Sequence, residues 1–249
     1  TIHAFCESLL RRFPLEAGVA PGFEVLEDQA ALALSHRARA DLARAALNEP
    51  DGRVGRAYSH LAVELAFDAF NALLGAIEAK RESLNAYLLA IAEGRAPSPY
   101  HLTGVTPDET PQSLSDDFMR YLDRTAWIAA ADGLAGGGAS DQACAQRMRA
   151  VLADWSFDSL AAVFLTSVGE PRARLATKGA PPQAVEFLTR TSGQYLATLQ
   201  SVRAARVADE TMKVLALADE HHALYETAKA EAGALDFTDL VSRTADLLT

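Results

Sequence analysis

The last quarter of the chain contains almost nothing that stops a helix. No proline occurs after Pro182, and no glycine occurs between Gly193 and Gly233. Those are the two residues that break helices, proline by lacking an amide and clashing with the preceding turn, glycine by its backbone freedom. The uninterrupted run predicts one helix of about 39 residues, roughly 58 Å at ~1.5 Å per residue. A helix of that length suits a projecting arm or the stem of a helical hairpin.

Composition agrees with a helical protein. The chain has 249 residues, 49% hydrophobic and 22% charged, enough for one large domain or two modest ones with a buried core. Alanine and leucine dominate, β-branched residues are sparse and aromatics make up only 7%, so an all-α, multi-helix fold packed through small side chains is expected. Cys6 and Cys144 are too few for a disulfide framework, no secretory leader pattern opens the sequence, and no apolar run approaches the ~20 residues of a membrane span. A soluble, cytoplasmic protein without membrane contact is the expectation.

The periodicity places the elements. Ile2, Phe5, Cys6, Leu9, Leu10 and Phe13 form an apolar stripe of helical spacing behind Thr1 as N-cap, and Gly18 and Pro21 end that helix. Phe23 to Leu26 reads as a short extended link into a helix over Asp28–Leu47. Further helices are expected up to Leu61, then over Phe67–Ile77 and Leu84–Ile91. The prolines between Glu93 and Gln112 mark a loop and a possible sub-boundary. Beyond it come helices over Leu114–Leu134, Asp141–Leu152 and Phe157–Leu165, and then a loop from Gly169 to Pro182 rich in Pro, Gly, Arg and Lys. Asp236 reads as the N-cap of the last helix with Asp239 at its third position, and Phe237, Leu240, Val241, Leu247 and Leu248 as its buried stripe.

Candidate catalytic and cofactor motifs fail on inspection. Gly136-Gly137-Gly138 lacks the Lys-Ser/Thr of a phosphate-cradling loop and reads as a linker. Leu215 to Glu220 ends in an acidic pair like a magnesium-binding strand, yet it lies inside the long helical pattern and reads as a solvated helix. His221 and His222 are adjacent, about 100° apart on a helix, and read as a surface or partly packed pair rather than metal ligands. Cys6 reads as a buried, inert thiol. No catalytic residue and no metal ligand is assigned.

The formal net charge of −10 excludes binding nucleic acid by bulk electrostatics. Phosphate contact must come from local clusters: Arg37, Arg39 and Arg44; Arg53 and Arg56; Arg147 and Arg149; Arg172, Arg174 and Lys178; Arg203 and Arg206. Of these, Arg172, Arg174 and Lys178 share one glycine- and proline-rich loop that can approach a phosphate backbone, and are the favoured DNA contact.

Two hexamers carry a family resemblance. Thr1-Ile2-His3-Ala4-Phe5-Cys6 and Leu235-Asp236-Phe237-Thr238-Asp239-Leu240 resemble the segments flanking the helical insertion in the first motor domain of UvrD-like, superfamily-one DNA helicases. Phe13-Pro14, Gly18 to Pro21 and Phe23 continue the first match. The length between the flanks and the segment from Leu165 to Lys178 are similar to the AddA type, the helicase-nuclease subunit of a double-strand-break repair complex. The resemblance implies that residues 1–27 and 235–249 belong to the motor domain and that 28–234 are the helical insertion called 1B, the sequence being a piece of a longer protein. It implies that Thr1 and His3 lie in the single-stranded DNA path, that Phe5, Asp236, Phe237 and Asp239 are structural, and that the partners are duplex or forked DNA and an AddB-like subunit. The helicase and nuclease motifs are missing from these residues, so ATP and magnesium would serve the parent and the fragment alone would be inactive.

The function so implied is a DNA-binding helical subdomain that braces duplex DNA while the motor pulls one strand. The alternative is an all-α interaction scaffold that meets a partner subunit and touches DNA little, which the acidic charge favours.

Overall fold

The computed structural model describes residues 2–248, and these residues are predominantly α-helical. The helices are α1 (Ile2–Arg12), α2 (Asp28–Asn48), α3 (Arg53–Glu64), α4 (Phe67–Ala79), α5 (Arg81–Ala92), α6 (Pro99–Thr103), α7 (Pro111–Tyr121), α8 (Arg124–Ala135), α9 (Ala139–Val151), α10 (Ala161–Phe164), α11 (Pro182–Ala232) and α12 (Phe237–Leu247). Two short strands, β1 (Glu24–Val25) and β2 (Ala234–Leu235), pair in parallel. The chain forms two compact units, one made of everything up to Ala96 and from Thr211 onward, the other of Pro97–Glu210.

Local chemistry sets the boundaries. Thr110 caps α7 by accepting the Ser113 amide at 3.0 Å, Ser113 returns the bond to Thr110 N at 3.0 Å, and Pro111 supplies a preset first turn. Asp123 accepts the Ala126 amide at 2.9 Å and starts α8. The expected single helix over Leu114–Leu134 is therefore two, because the apolar period runs on across Leu122 and Asp123 while the Asp123 cap interrupts the backbone. The expected loop over Glu93–Gln112 likewise contains α6, held by Ser98 as N-cap and Pro99 at its first position.

The long helix is longer than its breakers suggest. At 51 residues α11 begins at Pro182, a proline tolerated at a helix start, and runs straight through Gly193. It ends only at Gly233, whose φ of +61° takes the left-handed turn that leads into β2. Its residues change role along its length. In the Pro97–Glu210 unit it buries one stripe, including Ala184, Leu188, Thr191 and Tyr195. In the other unit four consecutive residues, Leu215 to Ala218, are buried, so this segment is enclosed on every side and the solvated-helix expectation is corrected. A stretch of only alanine and leucine allows that enclosure.

The two units fill their cores differently. Leu42 of α2, Leu61 of α3, Phe70, Leu74 and Ile77 of α4 and Ala216 to Ala218 of α11 make a mainly aliphatic core. In the other unit Phe118, Phe157 and Tyr195 meet with ring centroids 4.8 to 6.1 Å apart, and Trp127 contacts Phe164 and Phe187 edge-on while donating Nε1–H to Met148 O at 2.9 Å. Both tryptophans of the chain belong to this core. Gly55 on α3 is fixed by crowding, since a Cβ there would lie 2.1 Å from Glu49 O.

Gly193 has no such reason: it is exposed in the helix interior and a Cβ would meet open space. Gly193→Ala is expected to raise unfolding free energy by about 1 kcal/mol, the propensity difference in an exposed helix, as a higher urea midpoint at unchanged slope.

Candidate nucleic-acid interface

The basic loop is built outward from a tight turn. After α10, Leu165 bridges Pro171 antiparallel, Thr166 N donates to Glu170 O at 2.7 Å and Arg172 N to Phe164 O at 2.9 Å, with Gly169 at φ +79° closing the turn. The loop's far side is pinned by Asp141 in the first turn of α9. One carboxylate oxygen accepts Thr177 N at 2.7 Å and the other Thr177 Oγ1 at 2.6 Å. Those bonds, the hydroxyl's first, hold the Asp141 carboxyl below the usual carboxylate range. Gly137 makes room for them, because a Cβ there would sit 2.7 Å from Asp141 Oδ2. Within the glycine triplet, Gly137 is thus more than a linker residue: its missing side chain lets the backbone close over a carboxylate.

Held this way, the loop presents Arg174 and Lys178 to solvent and half-buries Arg172. Arg172 and Arg174, with Thr189 and Ser192 of α11, line a pocket of about 280 Å³ to which no described carboxylate contributes. In a chain of net charge −10 this is a local site of positive potential.

The terminal motifs form a second assembly. Glu24 N donates to Gly233 O at 3.0 Å and Leu26 N to Leu235 O at 2.8 Å, so β1 and β2 bring the two flanking segments together. Cys6, Leu10, Val19, Phe23 and Leu240 close a small core between α1 and α12. Asp236 accepts the Asp239 amide at 3.0 Å and Asp239 Oδ2 accepts the Asp236 amide at 2.9 Å, a reciprocal cap on α12. Lys229 inserts its ammonium here, 2.6 Å from Asp239, 2.7 Å from Glu226 and 3.3 Å from Asp236, while Arg81 of α5 reaches Asp236 at 2.8 Å. Burial pulls the Lys229 ammonium down, but its hydrogen bonds to Asp239 and Glu226 and the nearby carboxylate charges push it to about 12. Burial raises the Asp236 carboxyl, and the Asp239 amide with the Lys229 and Arg81 charges outweighs it and holds the group below its ordinary value.

Each sequence candidate can now be placed. Thr1 lies outside the described residues. His3 stacks on Phe237 with ring centroids 4.7 Å apart, so its ring is engaged within the flank assembly. Asp236 and Asp239 cap α12 as expected. Phe5, expected to pack, is 59% exposed, and Phe237, Val241 and Leu248, expected in a buried stripe, are exposed as well. The reason is geometric: α1 and α12 each bury one narrow stripe against the other, and their apolar patterns are wider than that contact. His221, expected at or near the surface, is fully buried with Nε2 4.0 Å from Glu78, and burial depresses its pKa. No group of three His, Cys, Asp or Glu among the described residues is placed to hold a metal ion.

Sequence reasoning missed Asp141, Thr177 and Lys229. Asp141 carried one legible signal, an acid in a helix first turn directly after three glycines. Lys229 carried none, since a lysine on a long helix reads as solvated.

The chain matches no protein-family model, no curated protein and no solved structure.

Two outcomes follow from this geometry. Lys229→Met leaves Asp236 and Asp239 facing each other without their shared cation and is expected to cost about 3–5 kcal/mol in denaturant unfolding. In the unsubstituted chain the raised Lys229 pKa contributes stability fully below 10.5, its unfolded value, which is lost as pH rises through about 12; the lowered Asp236 pKa contributes stability above 3.8, which is lost as pH falls below it. A pH series of unfolding midpoints should therefore lose its alkaline limb in Lys229→Met. Gly137→Ala, by displacing Asp141, is expected to release the loop and speed its cleavage in limited proteolysis at Arg172, Arg174 or Lys178 without moving the global midpoint comparably.

Proposed function

We propose that this chain is the helical 1B-type insertion of an AddA-like, UvrD-related DNA helicase-nuclease subunit, and that it braces duplex DNA ahead of the fork during double-strand-break repair. The observation that carries this reading is the anchored loop with Arg172 and Arg174 around a pocket free of described carboxylates and Lys178 exposed beside them. Guanidinium and ammonium groups displayed this way contact phosphates without reading sequence, which is what a brace requires. ATP and magnesium act in the parent's motor core, and strand separation is driven there, not by these residues.

A second observation supports the insertion. A lobe inserted into another domain needs its two ends side by side, and the parallel pairing of Glu24–Val25 with Ala234–Leu235 supplies that. In this reading the flanks rest on the motor domain, where Thr1 and His3 approach the single strand.

The exposed apolar residues Ile2, Phe5, Phe237, Val241 and Leu248 favour a second role, as a scaffold against protein: the motor core or an AddB-like subunit. Salt separates the two readings. Fluorescence anisotropy with forked DNA over a potassium chloride series is expected to give salt-sensitive binding, with the Arg172→Ala/Arg174→Ala/Lys178→Ala variant losing roughly two to three units of log–log slope at ~0.9 per phosphate contact. Absence of binding even at low salt would sink the brace and leave the scaffold.

A further inference from the structure

One histidine is enclosed where α2, α4 and α11 meet, and its hydrogen bonding is incomplete. His221 of α11 is 1% exposed, and both ring nitrogens are sealed from solvent without a hydrogen-bond partner. A carboxylate faces it: Glu78 at the end of α4 places Oε1 4.0 Å from His221 Nε2, and that oxygen is itself buried and makes no hydrogen bond. Arg39 of α2 brings Nη1 to 3.8 Å from the same oxygen, while its Nη2 donates to Asn71 Oδ1 at 2.7 Å. Ser35, one turn before Arg39, is buried with an unbonded hydroxyl, and its backbone faces the ring short of hydrogen-bond geometry. All of these residues belong to one compact unit.

Folded proteins rarely leave buried donors and acceptors open, so a ring held this way calls for a reason. While neutral, it adds no charge to a place that already holds one carboxylate and one guanidinium. Protonation would put a cation where water cannot solvate it, and the Glu78 oxygen that faces it is already shared with Arg39. Burial opposes the proton most, the Ser35 backbone favours it, and the charges of Arg81 from α5, of the adjacent His222 and of Arg39 oppose it, so the ring's pKa lies below its ordinary 6.5. Because the unfolded chain takes up a proton that the folded chain refuses, the stability due to this site is present above 6.5 and is lost as pH falls below it.

We propose that His221 is an acid-released latch: neutral, it lets α11 close onto α2 and α4, and protonated, it drives them apart. The latch acts between neutral and mildly acid pH, well above the range in which the contribution of Asp236 is lost. It does not depend on the DNA brace, whose cationic loop lies in the other unit.

Urea unfolding of the full chain is followed from roughly pH 8 to 5 at constant ionic strength. Below 6.5 the unfolding equilibrium constant is expected to rise by up to roughly tenfold per pH unit more in the unsubstituted chain than in His221→Gln, which keeps a polar side chain but does not titrate. His101→Gln, in the other unit, is expected to keep the full dependence. Two readings on the unsubstituted chain need no variant to fold. Followed by nitrogen NMR, the His221 ring is expected to be mainly neutral at pH 6.5 in the folded chain. Hydrogen exchange, corrected for intrinsic rates, is expected to lose protection in α4 on acidification before it does so in α8. Equal pH dependence in the unsubstituted chain and in folded His221→Gln overturns the latch. So does a folded ring mainly charged at pH 6.5, or protection lost in α8 together with or ahead of α4.

Discussion

The flank assembly depends on one buried ammonium. Lys229, only 3% exposed, stands near the end of α11 among Glu226, Asp236 and Asp239. A buried charge is tolerated only when it is paired and hydrogen-bonded, and here each partner has a second duty. Asp236 and Asp239 cap α12 reciprocally, and Asp236 also receives Arg81 and the Tyr225 hydroxyl, whose own pKa burial pushes to about 12. Arg81 lies 4.1 Å over the Tyr225 ring. Helix end, strand pairing and helix start therefore share one electrostatic centre. A two-residue parallel ladder is too short to hold by its own hydrogen bonds.

What the sequence disclosed follows the physics of each signal. Helical class, the extended link at Phe23–Leu26 and the Asp236 cap were legible because propensity, breakers and capping act within a few residues. The split between α7 and α8 was hidden, since the apolar period continues across Leu122 and only the Asp123 side chain marks the break. The reach of α11 back to Pro182 was hidden by Gly193, a breaker whose cost of about 1 kcal/mol is small beside the packing of Thr191 and Tyr195 on either side. Exposure was least legible: Phe5 and Phe237 look like core residues, and His221 and Leu215–Ala218 like surface, because burial is decided by which other segments arrive.

The candidate site was legible in composition and not in architecture. Arg172, Arg174 and Lys178 stand out as a cationic loop in an acidic chain. That Asp141 anchors the loop from 36 residues away, and that Gly137 is needed for its approach, depends on a tertiary contact no local pattern encodes. The same holds for Arg147, which in sequence groups with Arg149. In the fold they part: Arg149 is exposed and pairs with Asp132 at 2.7 Å, and Arg147 is half-buried with its Nε sealed from solvent.

The length of α11 has a further consequence. Residues 182–210 complete the aromatic core of one unit, and 211–232 run through the aliphatic core of the other, on one unbroken hydrogen-bonded ladder. Each unit therefore owes part of its core to a segment whose backbone hydrogen bonds are made within one helix, so neither core is assembled from helices that belong to it alone.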